Sequence, residues 1–118
     1  MTDTVTIWHN PRCSKSRETL ALLEAHGVTP AVILYLDTAP SVAEIKNLLK
    51  KLTFDDARLL MRTKEAIYSE LGLADVTSQD ALIQAMHDNP KLIERPVVVN
   101  GKLARLGRPP EQVLEIIN

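Results

Sequence analysis

The chain has one cysteine, few aromatic rings and no surplus of charge, and each shortage excludes something. Cys13 stands alone among 118 residues. It cannot close an intramolecular disulfide or join a multi-cysteine zinc site, so whatever chemistry it has involves another molecule. One Trp, two Tyr and one Phe give no stacking platform for nucleic acid. The 14 Lys and Arg nearly cancel the 15 Asp and Glu, which leaves no global field toward nucleic acid or an anionic membrane. No apolar stretch approaches the ~20 residues that span a bilayer, and the start MTDTVTIWHN has neither a basic leader nor a long apolar run. These absences set the expectations: a single domain over 1–118 with one core, cytoplasmic, with no nucleic-acid or membrane partner and no metal.

What is present is an ordered alternation of strand and helix signals. Val5 to Trp8 is β-prone and is broken by Asn10-Pro11, because the residue before proline avoids helical geometry. Ser14 to about His26 reads as a helix stopped by Gly27. Ala31 to Leu36 (AVILYL) is nearly continuously apolar, as in a strand buried on both faces. Ser41 with Glu44 forms a capping box ahead of a helix whose apolar stripe is Ile45, Leu48, Leu49 and Leu52. Short helices are expected at Asp55 to Met61, Lys64 to Leu71 and Ser78 to Asp88. Val97 to Val99 and Leu103 to Leu106 flank Asn100-Gly101, which signals a hairpin with a type I′ turn, and Pro109-Pro110 opens a last helix. The order is β-α-β, a helical insertion of about forty residues, then β-β-α. It predicts an α/β, thioredoxin-like fold: a four-stranded mixed sheet flanked by helices, with the insertion between strands 2 and 3.

Cys13 admits two readings. A lone cysteine is often a small buried apolar residue, whereas one in a polar, basic loop ahead of a helix can be a nucleophile. An ordinary thiol, with a pKa near ~8.5, is only a few per cent ionised at neutral pH. Lowering that value by ~2 units takes ~2.7 kcal/mol, and a helix N-terminus supplies ~0.3–1 kcal/mol, at best ~2. Arg12 and Arg17 add positive charge, His9 a charge or a hydrogen bond, and Ser14 and Ser16 hydroxyl donors. First-turn N–H groups can cradle an oxyanion against the sulfur. Taken singly, His9 suits a loop hydrogen bond, and Arg62, Arg95 and Arg108 suit a solvated surface. Two of these arginines have distinctive settings. Arg95 directly precedes Pro96 at the start of a strand, and Arg108 lies between the hairpin and the last helix. In a thioredoxin-like layout the loop before the hairpin faces the start of the first helix, which aims Arg95 at Cys13.

Five blocks, VTIWHNPRCSKSRETL, ILYLDTAPS, ARLLMRTKEAIYSELGL, LIQAMHDNPKLIERPVVV and RLGRPPEQVLEII, occur in this order over almost the whole chain. Together they resemble the glutaredoxin-coupled arsenate reductase family. The resemblance implies that Cys13 is the nucleophile and that Arg62, Arg95 and Arg108 hold the oxyanion. It implicates His9 and Ser16 in stabilising the thiolate, to which the local chemistry adds Arg17, and it implies a cis peptide before Pro96. The implied activity is reduction of arsenate to arsenite through a covalent Cys13-arsenate adduct. Glutathione is the implied thiol co-substrate, glutaredoxin the partner, with no bound cofactor and a monomeric enzyme. Two alternatives stand beside it. One is a thiol oxidoreductase acting on another oxyanion or a glutathionylated substrate. The other is a regulator similar to the Spx proteins, which bind RNA polymerase and generally carry Cys-x-x-Cys where this chain has Ser16.

Overall fold

The computed structural model describes residues 5–117, and their backbone contacts gather into two compact units, Met1–Thr38 with Arg95–Asn118, and Ala39–Glu94.

The first unit is built on a four-stranded sheet in the order β2-β1-β3-β4, from β1 (Val5–Trp8), β2 (Ala31–Ile33), β3 (Val97–Asn100) and β4 (Leu103–Leu106). β1 runs parallel to β2 and antiparallel to β3, so the sheet is mixed. Helix α1 (Ser14–Ala25) supplies the crossover between β1 and β2. It stops at Gly27, whose φ of 78° is a left-handed conformation open to glycine, and Val28 N–H closes the end on Leu23 O at 2.9 Å. Ile7, Leu23, Val98, Val113 and Ile116 are buried together, so one residue from each of β1, α1 and β3 meets two from the closing segment. Burying a side chain of this kind contributes about 1.5–3 kcal/mol, which is what fixes α1 and the closing segment against the sheet.

Three local expectations change in this unit. The run AVILYL is a strand only over Ala31–Ile33; the chain then turns, with the N–H groups of Asp37 and Thr38 both donating to Leu34 O. β2 is an edge strand, and Val32, Leu34 and Leu36 are 40–47% exposed rather than buried on both faces. Tyr35 alone turns fully inward, stacking on Trp8. The hairpin forms, but Asn100 pairs with Leu103, so the central turn residues are Gly101 and Lys102. Only Gly101 has positive φ (61°), which is the type II′ pattern rather than type I′. The last helix is a 3₁₀ segment, Pro110–Ile116, burying Pro110, Val113 and Ile116.

The second unit is the helical insertion. Its α2 (Val42–Leu52) carries the capping box: Glu44 N–H donates to Ser41 Oγ at 3.1 Å, and Ser41 N–H to Glu44 Oε1 at 3.0 Å. Ile45, Leu48, Leu49 and Leu52 are buried, as are Leu82, Ile83 and Met86 of α4 (Gln79–Asp88). The predicted helices before α4 are shorter than their periodicity suggested: a 3₁₀ turn at Ala57–Leu60 and a five-residue α3 (Ala66–Glu70). Arg58 ties these pieces together, donating to Tyr68 Oη and to the carbonyls of Leu73 and Val76. Among the described residues no helix is long and apolar enough to cross a membrane.

Candidate active site

The strand register explains why residues distant in sequence meet at Cys13. β1 pairs antiparallel with β3 so that Trp8 lies opposite Val97, and the segment leaving β1 therefore runs beside the residues preceding β3. β3 in turn pairs Val97 with Leu106, which brings the residues after β4 to the same end. Gly107 N–H donates to Pro96 O at 2.9 Å, and Arg108 Nε to Arg95 O at 2.7 Å. The peptides Arg95–Pro96 and Arg108–Pro109 are both cis.

The loop into α1 is organised by Asn10. Its carbonyl accepts from Cys13 N–H at 3.0 Å, its side-chain oxygen accepts from Arg12 N–H at 3.0 Å, and its own N–H donates to Ser16 Oγ at 3.0 Å. This places Cys13 at the N-cap of α1, in extended backbone geometry (φ −95°, ψ 124°). The Cys13 side chain closes no capping hydrogen bond of ordinary geometry, and the residue is partly exposed.

The thiol is held below its ordinary pKa. Burial alone would raise it; the N–H of Ser16, the hydrogen bond and charge of the Arg95 guanidinium, and the N–H of Lys15 together outweigh burial. Arg108 Nη2 lies 3.9 Å from Sγ. One sulfur therefore faces two guanidinium groups and a helix N-terminus, an arrangement that stabilises a thiolate and also attracts an anion to it.

The side chains of His9, Ser16 and Arg17 shape the loop that carries the sulfur. His9 Nδ1 and Ser16 Oγ are 2.6 Å apart, and both residues are buried, Ser16 completely. Burial, and secondarily the charge of Arg17, lower the His9 pKa and so favour the neutral ring. A Ser16 hydroxyl that donates to Nδ1 while accepting from Asn10 N–H satisfies all three groups. Arg17 donates to Pro11 O at 2.9 Å and braces the turn. Of the residues the sequence pointed to as stabilising the thiolate, Ser16 contributes to the lowered pKa of Cys13 through its N–H, alongside Arg95 and the Lys15 N–H. Asn10 and the Lys15 N–H were not singled out by sequence reasoning, although an asparagine directly before proline is a recurrent turn former.

Arg62 belongs to the helical unit. Its N–H donates to Leu92 O at 2.7 Å, and its guanidinium lies 3.4 Å from Glu65 and 3.8 Å from Glu94. His26 and His87 each bond a backbone carbonyl, Leu22 O and Pro40 O. Among the described residues no three His, Cys, Asp or Glu side chains gather as a metal site.

Comparison with known proteins shows which family the chain resembles. The chain is 62% identical over 118 residues to the YfgD protein of Escherichia coli (strain K12), covering 99% of each. It is 53% identical to an arsenate reductase of Haemophilus influenzae, over 96% of this chain and 98% of that one. The solved structure of an arsenate reductase from Vibrio cholerae matches with a TM-score of 0.96 and 58% identity, covering 99% of this chain and all of that one. A solved structure from Bacteroides fragilis, at 22% identity and a TM-score of 0.77, shares the fold. The ArsC family model matches residues 8–116, and the chain belongs to the ArsC family.

Proposed function

We propose that this chain is an arsenate reductase working through Cys13 and an external thiol. The observation that carries the reading is a thiol held below its ordinary pKa by Arg95, with Arg108 alongside, in a chain that has no second cysteine. The Cys13 thiolate attacks the arsenic of bound arsenate, an S–As bond forms, and one oxygen departs as water after taking protons. Arg95 and Arg108 offset the charge of the oxyanion through that displacement, and Arg62 is the third cation of the clamp in this reading. Attack by glutathione on the adduct, followed by a second thiol equivalent from glutaredoxin, supplies two electrons. Two thiols become one disulfide, arsenic passes from As(V) to As(III), and water cleaves the Cys13 S–As bond to release arsenite and return the thiol. Dependence on a reduced thiol pool suits a monomeric cytoplasmic enzyme.

The structural setting of position 16 speaks against the regulator reading. Ser16 presents a hydroxyl where a redox switch needs a thiol, so it cannot form a disulfide with Cys13, and it is fully buried and bonded to His9 and Asn10. The test is arsenite release by purified protein, with glutathione and glutaredoxin each omitted in turn and Cys13→Ser as control. Release that requires Cys13 and a thiol, and that is faster with glutathione and glutaredoxin together than with glutathione alone, is expected. Absence of arsenite with Cys13 demonstrably reduced refutes the assignment.

A further inference from the structure

The guanidinium groups of this protein are almost all engaged. Arg17 sits on Pro11 O, Arg58 on Tyr68 and two carbonyls, Arg62 on Glu65 and Glu94, Arg95 on the Cys13 sulfur, Arg105 on Glu115 and Arg108 on Arg95 O. Arg12 is the exception. It is exposed, only its backbone N–H is bonded (to Asn10 Oδ1), and its side chain meets no acceptor among the described residues. It is also the residue directly before the nucleophile.

Charge balance around it is lopsided. Residues 9–17 contain Arg12, Lys15 and Arg17 and no carboxylate, and the first turn of α1 has no acidic residue, in a chain whose formal net charge is −1. Lys15 pairs with Glu18 at 3.5 Å and the Arg17 guanidinium is held by Pro11 O, which leaves Arg12 as the cation of the segment whose side chain is unanchored among the described residues. The oxyanion is already served by Arg95 and Arg108, both beside the sulfur. An additional exposed cation beside the sulfur is free to meet a second anion.

We infer that Arg12 recruits the reducing co-substrate by a carboxylate, selecting small thiols that carry carboxylates over neutral ones. The inference rests on the thiol-coupled reading above. With one cysteine in the chain, every turnover requires an outside thiol to reach the Cys13 adduct. A tripeptide thiol such as glutathione bears two carboxylates, and one of them on the Arg12 guanidinium directs its sulfur toward the adduct through a short, charge-assisted bond. An exposed pair of this kind is worth a modest factor, about 1.5- to fivefold in affinity, and is screened by salt.

The experiment compares wild type with Arg12→Gln, Arg12→Glu and Arg12→Lys in two assays. The first measures arsenite release with glutathione and with 2-mercaptoethanol and takes the ratio of the two kcat/KM values. The second needs no turnover: it measures the rates of Cys13 alkylation by iodoacetate and by iodoacetamide and takes their ratio. Both ratios are expected to fall about 1.5- to fivefold in Arg12→Gln and further in Arg12→Glu. Arg12→Lys should restore most of the loss, and the gap between variants should narrow at high salt. Equal losses with glutathione and 2-mercaptoethanol overturn the inference, as does an unchanged glutathione ratio. An effect seen only when glutaredoxin is present also overturns it, assigning Arg12 to a protein surface. If wild type releases no arsenite with either thiol, the arsenate assignment fails, and the alkylation ratio alone decides: a fall upholds selection of carboxylate-bearing reagents by Arg12, and no change ends it.

Discussion

Replacing Arg95 by glutamine should raise the Cys13 pKa, because a cation that favours the thiolate is lost. In the structure, burial pushes this thiol up, and the Ser16 N–H, the Arg95 guanidinium and the Lys15 N–H bring it down past its ordinary value. Glutamine keeps a neutral donor and removes the charge, while the N–H groups stay in place. A hydrogen bond from a charged donor contributes about 1.5–3 kcal/mol, and the partial exposure of Cys13 favours the lower end. The shift is upward, because the lost group favoured the charged form, and the neutral donor that glutamine keeps offsets part of the loss. The thiolate fraction at neutral pH should then drop by up to about tenfold. The rate of iodoacetamide modification against pH measures the midpoint directly and requires no substrate. Arg108→Gln serves as an internal comparison: its Nη2 lies 3.9 Å from the sulfur, and it should move the midpoint less. Arg95→Lys should retain part of the shift but weaken arsenate binding, since an ammonium lacks the planar two-pronged grip. An unchanged midpoint in Arg95→Gln would refute the assignment of the thiolate to Arg95.

Three further outcomes test other parts of the molecule. The folded His9 pKa lies below its unfolded value of 6.5, so the unfolded chain binds more protons there. The resulting stability is present above pH 6.5 and is lost as pH falls through the folded value, so denaturation midpoints should decline more steeply with acid in wild type than in His9→Asn. Glu65→Gln removes one of two carboxylates held against Arg62. If Arg62 is the third cation of the clamp, the KM for arsenate should fall about twofold, and no change in KM would separate Arg62 from the substrate. Ser41→Ala breaks the capping box of α2 and should cost about 1 kcal/mol in urea denaturation. The alkylation profile of Cys13 should stay where it was; a shifted profile would contradict a purely local role for the cap.

The legible parts of this fold were those written in local chemistry. Val5–Trp8, the Ser41–Glu44 capping box, the α4 stripe and the Gly27 stop each depend on residues a few positions apart, and each forms where expected. The misread parts depend on partners far along the chain. AVILYL has the composition of an interior strand, but only the sheet order decides that β2 lies at an edge, and that order is set by β3, more than sixty residues later. Asn100-Gly101 signalled a turn correctly, yet the cross-strand register moved the turn one residue on, to Gly101 and Lys102. The same division runs through the site. The arrangement of Cys13, Ser16 and His9 within eight residues was visible as a basic loop before a helix. That Arg95 and Arg108 join them is a result of strand pairing, which the sequence suggests only once the topology is assumed. The use of the Ser16 N–H rather than its hydroxyl toward sulfur was invisible, because every residue except proline has an N–H and only geometry selects which one matters.

The ladder joining β1, β3 and β4 has an evolutionary consequence. Arg95 and Arg108 reach the sulfur because Trp8 faces Val97 and Val97 faces Leu106, and a ladder can be shifted only in whole residues. Adding or deleting one residue in β3 or β4 would turn alternate side chains to the opposite face and carry a guanidinium away from the thiol in a single step. The spacing of these charges is thus digital. Affinity for different oxyanions is free to drift through changes of side-chain identity, whereas the length of the hairpin is locked for as long as the chemistry at Cys13 is retained.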